Sequence, residues 1–469
     1  MVRLIDIAYQ NPWWKYGANF ASYDRDLKDL KQVFSRKVLS LSPGKIYIIR
    51  GTRRVGKTVY VKLLIEKLLN EGVNEHSIIY ISCDRLVSRF ELLRVIEEFL
   101  LSRTIRPLYV FLDEITYLKD WQLALKNIAE SPWIDELIIV ATGSSPILLK
   151  RGGERLPGRR VEGNEFYMKP LTFREFVLNF IEKYFPYPDT LKKLKKEVLN
   201  THIVLTKSLA PQFSQIIPFA EELTMLLNIY LITGGFPEAI LQYLADGRVS
   251  EKTIELFVRL ILGEITKMDK SEHIALRILR YIIDHLAQRV SIHKIAQECG
   301  VHHATVQEYL ELMQETFLIH VLDSWDLSKK TPAQRKQKKI IVCDPFIHHA
   351  LFVYLAGCTW EDALEIIEKR KPQLVECVVI SHLVQTMEIP YVREWWSFLG
   401  YYYNKREIDV IMKIRNQLFG FEVKYEEKFT PKRYPIPVKF LTKYEFSVKD
   451  DIIPVPLFLV GLKKSERVL

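Results

Sequence analysis

The chain has few of the residues that staple small extracellular folds. Its 469 residues include five cysteines, Cys83, Cys299, Cys343, Cys358 and Cys377, an odd and widely spaced set with no C-x-x-C pair and no histidine at zinc spacing. That pattern argues against a disulfide framework and against a zinc ribbon; the thiols read as reduced and mostly buried. Glycine is sparse, at 19 residues, and no internal repeat or low-complexity tract interrupts the chain. Long apolar runs are missing too. No segment reaches the roughly 18 apolar residues needed to span a bilayer, and Met1-Val-Arg-Leu-Ile-Asp-Ile lacks the uninterrupted apolar stretch of a signal peptide. These shortages point to a cytoplasmic protein with no membrane partner.

What remains is ordinary globular material, 48% hydrophobic and 26% charged, long enough for three or four modules. The 67 basic residues exceed the 57 acidic ones to give a formal charge of +10, which favours a polyanionic partner without specifying one.

Short apolar runs at Ile46 to Ile49, Ile78 to Ser82, Leu108 to Leu112, Leu137 to Val140 and Glu165 to Met168 alternate with stretches of helical period. Continuous apolar strands separated by helices predict a parallel sheet with helices on both faces. The expected division is an α/β P-loop ATPase core over residues 1–170 and a helical lid over 171–270. A winged helix over 271–344 and a C-terminal α/β nuclease-like domain over 345–469 complete it.

The strongest local signal is Gly51-Thr52-Arg53-Arg54-Val55-Gly56-Lys57-Thr58, which fits G-x-x-x-x-G-K-[ST] and lies between an apolar strand and a helix that continues through Val59. Glycines let backbone N–H groups wrap phosphates, Lys57 reaches the β and γ oxygens, Thr58 ligates Mg²⁺, and the helix N-terminus adds its dipole. ATP or ADP with Mg²⁺ is the expected cofactor. Leu108-Tyr-Val-Phe-Leu-Asp113-Glu114 is an apolar strand ending in two carboxylates. Asp113 suits the metal and Glu114 suits the attacking water, the division of labour that phosphoryl transfer to water needs.

At the tip of the next strand, in Thr142-Gly-Ser144-Ser145, Ser144 or Ser145 is the candidate contact to the γ-phosphate, although turn chemistry accounts for the same residues. Arg159 and Arg160, in Arg155-Leu-Pro-Gly-Arg159-Arg160, are candidates to stabilise transition-state charge, in trans if the chain forms a homo-oligomer; solvated surface arginines are the competing reading.

Together with Asn11-Pro-Trp-Trp14, Asp113-Glu-Ile-Thr116, Leu171-Thr-Phe-Arg-Glu-Phe176 and Gly234-Gly-Phe-Pro237, these motifs resemble an archaeal family of AAA+-like ATPases of the STAND type. The resemblance extends over essentially the whole chain. It implies that the Gly235-Phe236-Pro237 turn senses the nucleotide, with Pro237 among the nucleotide-binding residues, and that ATP and ADP set different lid positions.

Ile292-His-Lys-Ile-Ala296-Gln-Glu-Cys-Gly300-Val-His-His-Ala-Thr-Val306 has the spacing of a helix-turn-helix. The runs Phe317 to Leu322 and Lys339 to Cys343 would form the wing, joined by a loop with Lys329, Lys330, Arg335, Lys336 and Lys338. The outward positions of the second helix are His302, His303, Gln307, Glu308 and Glu311, and two acids facing a groove argue against sequence-specific readout. The wing suits backbone phosphates; a protein-packing module with a solvated loop is the alternative.

Farther on, Glu407-Ile-Asp409-Val-Ile-Met, a turn, and Phe419-Gly-Phe-Glu422-Val-Lys424 read as a hairpin that gathers Asp409, Glu422 and Lys424, with Glu376 from the preceding helix as a fourth member. Two carboxylates and a lysine at one point can bind Mg²⁺ and activate water against a phosphodiester. The set resembles a PD-(D/E)XK nuclease site, which the same family often carries at its C-terminus; the wet face of an ordinary hairpin is the competing reading. Two functions stay open. One is an ATP hydrolase that switches or moves on DNA, possibly branched, recognised by structure rather than sequence, with a C-terminal domain that grips or cuts. The other is a STAND-type signalling or defence switch that assembles on protein partners.

Overall fold

In the computed structural model, residues 2–28, 39–143, 164–185, 187–334, 336–386, 397–425 and 430–463 are described. They fall into two compact units, Met1–Lys169 and Pro170–Leu469.

The first unit is built on five parallel strands, β1 (Lys45–Gly51), β2 (Ile78–Ser82), β3 (Leu108–Asp113), β4 (Leu137–Gly143) and β5 (Glu165–Met168), in the order β2-β3-β4-β1-β5. β4 thus lies between the P-loop strand β1 and the acidic strand β3. All seven residues of β4 are buried, as a central strand covered on both faces requires. Helices α1 (Lys57–Asn70), α2 (Arg89–Leu101) and α3 (Trp121–Ala129) follow β1, β2 and β3. α1 buries Val61, Leu64, Ile65 and Leu68, the spacing of one helical face.

Strand β2 is a sheet edge, and unpaired edge groups invite aggregation. Here the motif Asn11-Pro-Trp-Trp14 covers it. The Asn11 side chain accepts from the Tyr80 N–H at 2.6 Å and donates to the Tyr80 carbonyl at 3.0 Å. Both indole N–H groups, of Trp13 and Trp14, donate to the Ile78 carbonyl. The role of this motif is to seal the edge.

The second unit begins with α4 (Phe173–Tyr184), α5 (Pro188–Asn200), α6 (Ala220–Thr233), α7 (Pro237–Asp246) and α8 (Glu251–Thr266). Thr172 and Glu175 form a reciprocal cap on α4. The buried Arg174 guanidinium donates to the carbonyls of Leu199, Thr201 and Val460. Between α6 and α7 the chain turns by 111° at Gly234-Gly-Phe-Pro237. A Cβ on Gly234 would stand 1.8 Å from Asp344 Oδ1, and one on Gly235 would stand 2.1 Å from the Leu171 carbonyl oxygen, so only glycine fits at either place. Among the described residues no single helix is long and apolar enough to cross a membrane, although α6 and α7 as a bent pair match by length and composition.

Helices α9 (Glu272–Asp284), α10 (Ile292–Cys299) and α11 (His303–Glu315) accompany an antiparallel sheet of β6 (Arg289–Val290), β7 (Ile319–Asp323) and β10 (Lys338–Val342), ordered β6-β10-β7. Gly300, at φ 59°, ends α10 in the left-handed conformation that glycine adopts without penalty. The loop between β7 and β10 carries its own two-stranded ladder, β8 (Trp325–Asp326) with β9 (Thr331–Pro332). Helices α12 (Pro345–Ala356), α13 (Trp360–Lys369) and α14 (Lys371–Thr386) lead to a mixed sheet ordered β11-β12-β13-β14-β15. There β11 (Leu399–Asn404), β12 (Arg406–Ile414) and β13 (Gln417–Lys424) are antiparallel, while β14 (Val438–Thr442) and β15 (Ile452–Pro454) run parallel to β13. The chain then closes with α15 (Val455–Gly461).

Candidate functional site

The P-loop connects β1 to α1 through Thr52 to Gly56, with Arg54 at φ 65° and Gly56 at φ 88°. Gly51 is needed for another reason: a Cβ there would lie 2.0 Å from the Met168 carbonyl oxygen of the neighbouring strand. Val55 is buried beneath the loop, and the Arg53 guanidinium lies over the Tyr117 ring. Lys57 is buried, and its ammonium donates to the carbonyls of Gly51 at 3.1 Å and Thr52 at 3.0 Å. The same ammonium is 3.8 Å from Glu114 Oε1. Val59 follows Thr58 in the first turn of α1.

Across from the loop, the Thr58 hydroxyl donates to Asp113 Oδ2 at 2.7 Å. Two residues absent from the sequence-based set complete the surroundings of that carboxylate. The Tyr80 hydroxyl donates to the same Oδ2 at 2.7 Å, and the Thr142 hydroxyl donates to Oδ1. Burial first, and the Asp113 charge second, hold the Tyr80 phenol far above its ordinary pKa, so it stays a donor. Thr142 also accepts from the Glu114 N–H at 3.0 Å. Glu114 sits at φ 51°, ψ 44°, a left-handed conformation uncommon for a residue with a Cβ. Its Oε2 is buried with no hydrogen-bond partner among the described residues.

A hydroxyl and a carboxylate oxygen 2.7 Å apart are hard donors of the kind magnesium takes. The orphaned Glu114 oxygen leaves an acceptor for a water. The residues present therefore fit nucleotide and Mg²⁺. Ser144, Ser145, Arg155, Arg159 and Arg160 lie outside the described residues; Thr142 is the described polar residue at that strand tip. Pro237 is the first residue of α7 in the second unit.

The C-terminal set also comes together. Val410 pairs with Phe421, which puts Asp409 and Glu422 side by side on β12 and β13. Lys424 is 2.9 Å from Glu422 and 3.9 Å from Asp409. The Tyr434 hydroxyl donates to Glu422 at 3.0 Å. The Asp409 carboxylate accepts from the Val423 N–H at 2.8 Å.

One further residue enters the cluster, Lys339 of β10. Its side chain is 1% exposed, and the ammonium lies 2.7 Å from Glu376, 2.5 Å from Glu407 and 3.5 Å from Asp409. Arg289 holds the other oxygen of Glu407 at 3.2 Å. Burial works against the Lys339 ammonium, but Glu376, Asp409 and Glu407 outweigh it and keep its pKa above the ordinary value. Burial likewise lifts Glu376 and Glu422 above the ordinary carboxylate range. A divalent metal does not fit this arrangement, because lysines already occupy the carboxylates. Among the described residues no group of three or more His, Cys, Asp or Glu side chains is arranged to hold one.

Residues 43–177 match the family model of the AAA domain, and residues 224–358 match that of a domain of unknown function. The second match runs across the expected divisions at 271 and 345. An uncharacterized protein of Haemophilus influenzae is 24% identical over 322 residues, 65% of this chain and 69% of its own length. One from Methanocaldococcus jannaschii is 23% identical over 419 residues, 85% and 81% of the two chains. Among solved structures, the ORC2 protein of Aeropyrum pernix overlaps 67% of this chain and 88% of its own at 13% identity, with a TM-score of 0.35. Cdc6p from Pyrobaculum aerophilum overlaps 66% and 87% at 14% identity, with a TM-score of 0.24. With superposition scores this low, those overlaps do not bear on function. The P-loop, the acidic strand beside β4 and the matched model together make residues 43–177 an AAA-type P-loop ATPase domain.

Proposed function

We propose that the chain is an ATP hydrolase whose nucleotide cycle drives a conformational change exerted on DNA through the second unit. The carrying observation is the convergence of Lys57, Thr58, Asp113, Glu114 and Thr142 at the ends of β1, β3 and β4. Neutralisation of phosphate charge is what magnesium supplies when bound. Lys57 would bind the β and γ oxygens of the nucleotide, Thr58 and Asp113 would hold the metal, and Glu114 orients water and accepts its proton. Thr142 keeps both carboxylates in place. Arg159 or Arg160 adds transition-state stabilisation, in trans within a homo-oligomer.

The DNA arm rests on the charge of +10 and on the winged-helix reading of α9 to β10. Lys329 and Lys336 are exposed on the β7–β10 loop, and Arg415 is exposed at the β12–β13 turn. Lys330 donates to the Asn416 carbonyl at 3.1 Å and links that loop to that turn. Such a surface grips backbone phosphates without reading bases. His302, His303, Gln307, Glu308 and Glu311 are exposed on and just before α11 and carry no fixed positive charge, which fits recognition of DNA structure. The same acidic helix supports a second reading, a STAND-type signalling or defence switch on a protein partner.

Steady-state turnover, measured with and without branched and duplex DNA across a salt series, tests the proposal. Lys57→Ala should abolish ATP binding. Glu114→Gln should retain binding and lower kcat by about 10²- to 10⁴-fold. DNA binding that weakens with salt and accelerates turnover supports the DNA arm. Turnover indifferent to every DNA, with no binding at low salt, refutes it in favour of the protein switch.

A further inference from the structure

The C-terminal cluster contains four carboxylates, Glu376, Glu407, Asp409 and Glu422, met by three cations, Lys339, Lys424 and Arg289. Lys339 comes from β10 of the three-stranded sheet, whereas Glu407, Asp409, Glu422 and Lys424 belong to the mixed C-terminal sheet and Glu376 to α14. Its neighbour Lys338 is half-buried and pairs with Asp323. The pleat of β10 therefore sends the two lysines to opposite faces, Lys339 into the acidic cluster.

We propose that Lys339 is an internal cation standing where a divalent metal would otherwise bind, so that in this arrangement of β10 the chain excludes metal from the cluster. The ammonium reaches Glu376 and Asp409, the two carboxylates that a nuclease-like site would use together with Glu422. One ammonium in contact with three carboxylates occupies the oxygens a divalent ion would need and leaves that ion short of ligands. Coordination requires the Lys339 ammonium to leave the cluster. This inference rests on the nuclease-like reading of Glu376, Asp409, Glu422 and Lys424.

Mn²⁺ titration of the full-length, nucleotide-free chain, followed by the electron paramagnetic resonance of free Mn²⁺, decides it. The wild-type chain should show no Mn²⁺ binding that Asp409→Asn removes. Lys339→Met should gain one Mn²⁺ per chain, at least tenfold tighter than any wild-type binding, and Lys339→Met/Asp409→Asn should lose it. A wild-type chain with Asp409-dependent Mn²⁺ binding as tight as that of Lys339→Met overturns the proposal, as does a folded Lys339→Met chain with no gain. If Lys339→Met does not fold by circular dichroism, the wild type and Asp409→Asn decide alone. Equal Mn²⁺ binding by those two supports exclusion, and a loss on Asp409→Asn overturns it. Gain of Mn²⁺ by Lys339→Met without cleavage of any DNA would leave the exclusion standing and remove the nuclease reading.

Discussion

Replacing Thr142 by valine keeps the branched shape of a fully buried side chain and deletes its hydroxyl. Two bonds go with it, the donation to Asp113 and the acceptance from the Glu114 N–H. The first is a hydrogen bond to a charged group, worth about 1.5–3 kcal/mol; losing the second strands an N–H at a cost of about 1–3 kcal/mol. That N–H belongs to a residue whose left-handed conformation itself costs about 1–2 kcal/mol and needs an anchor. Relaxation of Glu114 toward an ordinary conformation recovers part of the loss, so the productive placement of the two carboxylates should weaken by about 1.5–3 kcal/mol. At about 1.36 kcal/mol per decade, kcat should fall roughly ten- to hundredfold. The P-loop bonds of Lys57 do not involve Thr142, so KM for ATP should change by less than about threefold. Phosphate release at saturating ATP measures this, and Thr142→Ser, which keeps the hydroxyl, should restore most of the rate. A Thr142→Val turnover within twofold of wild type, or a loss expressed wholly in KM, would refute the role assigned to this residue.

Arg174→Met should destabilise the docking of α15 by about 2–4 kcal/mol, since it removes the donor for the carbonyls of Leu199, Thr201 and Val460. Hydrogen exchange across Val455–Gly461 reports this, and unchanged protection contradicts it. Asp344 caps α12 and accepts from the amides of Gly235 at 2.8 Å and Phe346 at 2.9 Å. Burial, opposed by those two bonds, raises its pKa from 3.8 to about 7. Between those values the folded chain keeps a proton that the unfolded chain releases, so the stability gained is present below about pH 4 and lost as pH rises through 7. A shift of that size corresponds to about 4 kcal/mol. The unfolding temperature of Pro170–Leu469 should fall more steeply between pH 5 and 8 in the wild type than in Asp344→Asn; parallel curves would exclude the assignment.

Legibility in the sequence followed locality. The P-loop is one run on a strand, a loop and a helix start, and its geometry needs little from the rest of the chain. Asp409, Glu422 and Lys424 were readable because a hairpin and a two-residue period fix their relation. Thr142 and Tyr80 reach Asp113 only because β4 and β2 flank β3, and no run of residues states a sheet order. Thr142 is within reach of the same rule for strand tips that makes Ser144 and Ser145 candidates. Lys339 was harder still. It opens the apolar run Ile340-Ile341-Val342, where a lysine reads as the solvated end of a strand. Only the meeting of its sheet with the mixed sheet and with α14 gives it three carboxylates.

The motif Gly234-Gly-Phe-Pro237 has mechanical work within the second unit beside the nucleotide sensing that its resemblance implies. The Gly235 carbonyl accepts from the Leu171 N–H at 2.8 Å, and the Gly235 N–H donates to Asp344 at 2.8 Å. Phe236 packs against Phe257 and Phe346. Thr172 caps α4 beside this joint, and the Phe173 N–H donates to His382 at 2.7 Å. The two motifs Leu171-Thr-Phe-Arg-Glu-Phe176 and Gly234-Gly-Phe-Pro237 therefore converge on one joint that binds α4, α7, α12 and α14. A lid that pivots at Pro237 has to carry this joint with it or break it. Because the glycines leave no room for slack, the first alternative costs less, and the helices around the joint should move as one body.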